Sequence, residues 1–176
     1  MGGQIAIHVA ASGRVPNLGG IALSAPAVAP DPELATPFIQ FVARKLSQVL
    51  PKLQLKPLPS AFLTRDAGVI DQYLNDPLVY TGGCRARWGA EMLDAMAGCF
   101  DLARSKCVKI RLLVLHGGAD KVVNPSGSKA LHDAWAGPKT LEEFPDEFHE
   151  IFNEPGREAV YAKVGDWLDA ATLTNA

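Results

Sequence analysis

The chain has 176 residues, 48% of them hydrophobic and 20% charged, with a formal net charge of −2; this supports one globular domain with a substantial core and argues against disorder. No basic stripe runs along any helical pattern, so there is no field for collecting phosphates and nucleic acid is not expected as a partner. The cysteines Cys84, Cys99 and Cys107 show no Cys-x-x-Cys spacing and the histidines do not cluster, which points to a reduced cytosolic compartment without structural zinc.

The start, Met1 to Ala11, is apolar but lacks a cationic leader and carries His8, so it reads as neither a signal peptide nor a membrane span. Gly2–Ser12 has helix length and is apolar almost all round, which predicts a helix buried beneath other elements with His8 as a satisfied core histidine. A turn over Gly13–Gly19 leads into Gly20–Ser24, a short parallel strand. Pro26, Pro30, Pro32 and Pro37 then interrupt the chain before a helix carrying Phe38, Phe41, Val42, Leu46 and Val49, which Pro51 ends. This stripe is read as packing onto the sheet domain; lining an acyl tunnel or docking on a membrane surface is the alternative.

Lys52 to Pro77 reads as irregular, with one short helix near Ala67–Asn75. Gly89–Arg104 is a clearer helix, with Met92, Met96, Cys99 and Phe100 on one side. Residues 26–109 are therefore expected to be a mostly helical cap inserted into a sheet domain made of residues 1–25 and 110–176. The run Leu112–Leu115 is continuously apolar, as expected of a parallel strand covered on both faces, and it enters the turn His116-Gly117-Gly118-Ala119-Asp120. Ser126–Ala136 is read as a helix, Lys139–Phe144 as a short exposed strand, and Arg157–Ala171 as a helix burying Val160, Val164, Trp167 and Leu168.

Asp120 and His149 thus both fall on loops that follow strands. In open α/β sheets the ligand crevice lies outside the carboxyl ends of the strands, so the two side chains can face one cleft. Taken singly, Asp120 is a turn carboxylate and His149 a surface loop histidine. Together, in that order, they match the last two members of an α/β-hydrolase triad, and imidazole is the side chain suited to taking and returning a proton at neutral pH. His116 is read as supporting the turn and His132 as a surface residue. Ser24, Ser60, Ser126 and Ser128 all lack a Gly-x-Ser-x-Gly context, and the cysteines lack activating neighbours beyond Arg85 and Lys106.

These segments resemble the C-terminal portion of a monoacylglycerol lipase-like serine hydrolase. Met1-Gly2-Gly3 is similar to the tail of that family's Gly-x-Ser-Met-Gly-Gly elbow, Leu115–Val123 to its acid segment, and Phe148-His149 with Asn153-Glu154 to its histidine loop. Leu50–Leu53 and Asn75–Tyr80 look like pieces of its helical cap. The resemblance implies a partial α/β-hydrolase fold in which Asp120 and His149 are catalytic and the nucleophilic serine lies upstream of residue 1. The Met1 backbone N–H would be an oxyanion donor only in a longer chain. Tyr80, which can aim its hydroxyl at a glycerol group, and Val122 are candidate substrate contacts. The implied substrate is a lipid ester, cleaved without metal or organic cofactor, in the cytoplasm or with peripheral membrane contact through the cap. The 176 residues alone are expected to be inactive, with the strand near Ile21 left as an open edge. The alternative is a non-catalytic remnant that binds a lipid or a partner; neither reading fixes the oligomeric state.

Overall fold

The computed structural model describes residues 1–30, 36–104 and 108–173; the expectations for Pro32, Lys106 and Cys107 lie outside them. In chain order the elements are helix α1 (Gly2–Ser12), strand β1 (Gly20–Ser24), helix α2 (Pro37–Val49), a 3₁₀ turn (Ser60–Phe62), α3 (Ala67–Asn75), α4 (Ala86–Arg104), β2 (Arg111–Gly117), α5 (Pro125–Ala134), β3 (Lys139–Phe144), a second 3₁₀ turn (Ile151–Asn153) and α6 (Arg157–Leu173). The strands form one parallel sheet in the order β1-β2-β3, with Leu23 opposite Val114 and Val114 opposite Leu141.

Period-two alternation along β2 divides the core. Leu112 and Val114 point to one face and pack with Ile7 of α1, Leu23, Cys99 and Ala103 of α4, and Leu131 with Trp135 at the end of α5. Leu113 and Leu115 point to the other face and meet Ile151 and Val160, with Val164 and Trp167 of α6 around them. Helices on both sides leave β2 with no wet face, which is why its sequence is apolar without alternation. Side-chain caps and prolines start two of the helices: the Asn124 side chain accepts from the Ser126 N–H and Pro125 opens α5, while the Thr36 side chain accepts from the Ile39 N–H and Pro37 opens α2. Helix α5 stops at Ala134 rather than Ala136 because Trp135 turns to an extended conformation and buries its ring, donating its indole N–H to the Ile110 carbonyl at 2.9 Å.

Three expectations are corrected. In α6, Val160 is buried with Val164 and Trp167 packed around it, whereas Leu168 is 53% exposed and lies outside the buried stripe. Helix α1 is not buried all round: Gln4 and Ile7 face inward, whereas Ile5 is 56% exposed and Val9 is exposed too. His8 lies on that outer side and is exposed, not a core histidine. The reason is position, since α1 covers β1 at the edge of the sheet and packs mainly on β1 and α4. Helix α2, likewise, does not turn its apolar stripe toward the sheet. It packs on α4 through a face that includes buried Ser47 and the Arg44–Asp94 ion pair, so Phe38 is left 74% exposed with Phe41, Val42 and Val49 also outward. Among the described residues no helix is long and apolar enough to cross a membrane.

The division between buried and outward apolar groups predicts opposite outcomes for two truncations. Leu112→Ala should lower unfolding free energy by about 2–5 kcal/mol because Leu112 is fully buried, whereas Phe38→Ser should change it by no more than about 0.5 kcal/mol. Urea unfolding of each variant measures both.

Candidate active site

The site forms at the carboxyl ends of β2 and β3. Strand β2 ends at Gly117, and the tight turn that follows carries Asp120; strand β3 ends at Phe144, and the next loop carries His149. The two loops are joined through their backbones. The Gly118 N–H donates to the Phe144 carbonyl at 2.7 Å and the Ala119 N–H to the Glu147 carbonyl at 3.0 Å. Glycine is required at this junction, because a Cβ on Gly117 would stand 2.1 Å from the Phe148 carbonyl oxygen and one on Gly118 2.7 Å from that of Pro145.

This close approach brings the predicted acid and base together. His149 Nδ1 lies 2.7 Å from Asp120 Oδ2, with the carboxylate side chain fully buried and the imidazole 23% exposed. Asp120 Oδ1 accepts the N–H groups of Val122 at 2.7 Å and Val123 at 3.1 Å. Burial alone would raise the Asp120 pKa, but hydrogen bonds from His116 and His149, then the His149 charge and the Val122 N–H, outweigh it and hold the carboxyl well below the usual carboxylate range. An ionised Asp120 that takes Nδ1–H leaves His149 Nε2 as the free basic nitrogen, the arrangement needed for general base chemistry.

The other predicted residues fall differently. Val122 contributes its backbone to Asp120. The Tyr80 hydroxyl accepts from Gln54 Nε2 at 2.8 Å and donates to the Gly83 carbonyl at 3.4 Å, and its ring is exposed. Met1 caps α1, which runs antiparallel to β1 and so begins at the carboxyl end of the sheet; Gln4 fixes that end by donating to the Ala27 carbonyl at 2.7 Å. Cys99 is buried, and burial pushes its thiol up to about 11 against a smaller lowering by the terminal ammonium, a setting for an inert thiol. Among the described residues no group of three His, Cys, Asp or Glu is arranged to hold a metal ion.

Two parts of the site were not foreseen. One is a buried pairing of His116 with Ser128. The other ties the histidine loop to the segment before α3. Arg65 donates from Nε and from its backbone N–H to Glu154, each at 2.6 Å, and its guanidinium also pairs with Glu147. Beside these, the Thr64 hydroxyl donates to the Asn153 carbonyl at 3.1 Å and the Glu150 N–H to the Leu63 carbonyl at 2.8 Å. No short spacing announces an arginine that meets its carboxylate across so much chain; only the Asn153-Glu154 dipeptide hinted that this loop matters.

A profile of the serine aminopeptidase S33 family matches residues 1–156. Human monoglyceride lipase is 32% identical over 99% of this chain and 57% of its own length, and the monoacylglycerol lipase of Mycolicibacterium smegmatis is 30% identical over 96% and 59%. A crystal structure of Paleococcus ferrophilus monoacylglycerol lipase superposes with a TM-score of 0.82 at 29% identity, over 96% of this chain and 65% of that one. The three-stranded parallel sheet with helices on both faces is thus part of an α/β-hydrolase fold. The chain belongs to the serine aminopeptidase S33 family of serine hydrolases, similar to the monoacylglycerol lipases within it, and spans between half and two thirds of the length of those relatives.

Glu154 gives the loop tie a pH signature. Burial would raise its pKa, but hydrogen bonds from its neighbours outweigh that and lower it from 4.5 to about 2. A carboxyl depressed in the folded state stabilises the fold above pH 4.5 and loses that contribution as pH falls toward 2. Glu154→Gln should therefore cost stability at pH 7, and the gap to the parent chain should narrow steadily below pH 4.5 in urea titrations.

Proposed function

We propose that this chain supplies the acid and base of a carboxylic ester hydrolase acting on monoacylglycerol-like lipids, with the nucleophilic serine carried by a segment that joins the open edge of β1 beside the start of α1. The observation that carries this reading is the 2.7 Å contact between His149 Nδ1 and a buried Asp120. His149 Nε2 takes the serine proton as the hydroxyl oxygen attacks the ester carbonyl, then returns it to the departing alcohol; Asp120 fixes the tautomer and stabilises the imidazolium. In such a longer protein the Met1 backbone N–H, at a helix start, serves the oxyanion. The names of the relatives support a glycerol monoester as substrate.

In this reading residues 26–109 act as the cap, and the outward apolar face of α2, with Phe38 and Phe41, meets the acyl chains of a lipid surface. Tyr80 and Val122 are the proposed substrate contacts. That same apolar face also favours a second reading, a non-catalytic module that binds lipid through α2.

The chain alone should release no fatty acid from a monoacylglycerol, since none of its serines lies in an elbow. Joined to a segment that provides the preceding strands and Gly-x-Ser, it should turn over, with Asp120→Asn lowering kcat by about 10⁴-fold and His149→Ala abolishing the activity. Vesicle binding without turnover in the joined protein would favour the second reading. Phe38→Ser with Phe41→Ser should weaken sedimentation with phosphatidylcholine vesicles.

A further inference from the structure

Asp120 has more partners than a single histidine supplies. Oδ1 takes the Val122 and Val123 N–H groups, and Oδ2 lies 2.7 Å from His149 Nδ1 and 3.1 Å from His116 Nε2. A carboxylate has about four lone-pair sites, so a proton on His116 Nε2 fills the last of them with no water required. His116 is 1% exposed and shares the β2 face of Leu112 and Val114. Its second nitrogen, Nδ1, lies 2.6 Å from the Oγ of Ser128, which α5 brings into the interior fully buried.

Three proton arrangements fit these distances. A proton on Nδ1 alone would set the bare Nε2 lone pair against a carboxylate oxygen, which is repulsive. An imidazolium would add a buried cation to a site whose one negative charge is already matched whenever His149 accepts a proton, and an unmatched buried charge is costly. The remaining arrangement is neutral: the Ser128 hydroxyl donates to His116 Nδ1, and Nε2–H donates to Asp120.

We infer that His116 is a positioning residue for the Asp120–His149 pair, held by Ser128 as the neutral Nε2–H tautomer so that it locks the carboxylate and leaves His149 Nε2 bare toward the crevice. With both oxygens saturated, the carboxylate cannot rotate without breaking a bond to β2's own turn or to α5 through His116. The inference deepens the acid–base reading above and rests on it for its catalytic meaning, but the proton arrangement stands or falls by itself.

Nitrogen-15 and proton NMR of the labelled chain at neutral pH tests it, with the four histidines assigned by substitution. His116 should show a protonated Nε2 and an unprotonated Nδ1, and the His149 Nδ1 proton should give a resolved downfield resonance. His116→Leu should abolish that resonance or move it upfield with far-UV circular dichroism unchanged, His116→Gln should restore it through an amide donor, and Ser128→Ala should give a mixture of His116 tautomers. A His116 protonated at Nδ1 or at both nitrogens overturns the proposal, as does an unaltered His149 resonance in His116→Leu. Should the leucine variant fail to fold, the unmodified chain and His116→Gln still decide the matter. None of these readouts needs hydrolysis, so an inactive joined protein with the expected tautomer would count against the ester-hydrolase reading alone.

Discussion

The carboxylate of Asp120 sits where three separately built parts of the fold converge. Its Oδ1 is gripped by the backbone of its own turn, and its Oδ2 by His116 from β2 and by His149 from the loop after β3. A buried charge of this kind is tolerated only when every lone pair has a donor, so the requirement reaches outward. It demands two glycines where the loops touch, a tight turn that folds Asp120 back beside His116, and a hydroxyl on α5 at the far side of that imidazole. Removing any one of these leaves a buried anion short of a partner, which costs more than the hydrogen bond itself contributes.

The histidine loop is held from its other end by Arg65 and Glu154. Glu154 is wholly buried, and the guanidinium that neutralises it comes from the stretch just before α3. The same arginine spans Glu147, so the loop is tied on both sides of His149 to one residue of the long segment between β1 and β2. Burial and the hydrogen bond with Glu154 raise the Glu147 pKa against the pull of Arg65, while Glu154 carries the negative charge of the pair. The position of His149 is thereby linked to the placement of chain far from it in sequence.

How much of this was legible depends on whether one element could be judged without its neighbours. The run Leu112–Leu115 could be read directly, because a strand with helices on both faces needs apolar side chains at every position. The Asp and His could be found because each closes a strand and the ligand crevice of an open sheet lies there. Helices α1 and α2 misled because composition shows that an apolar face exists and not which neighbour will cover it; with β1 at the edge and α4 taking the small face of α2, Ile5 and Phe38 stay exposed among the described residues. The pairing of His116 with Ser128 was out of reach for another reason. It depends on how α5 lies across β2, and no spacing in the sequence encodes a helix crossing.

The parallel pairing of β1 with β2 sets a sequence of events for the chain as it folds. Gly20 meets Arg111 only after about ninety intervening residues have been gathered in, a closure whose entropy must be met before any ladder bond rewards it. Contacts at such separation slow folding. The pairs of helices α2 with α4 and β2 with β3 are nearer in sequence and can form first. Strand β1 is thus the part of the sheet whose pairing carries the largest closure cost.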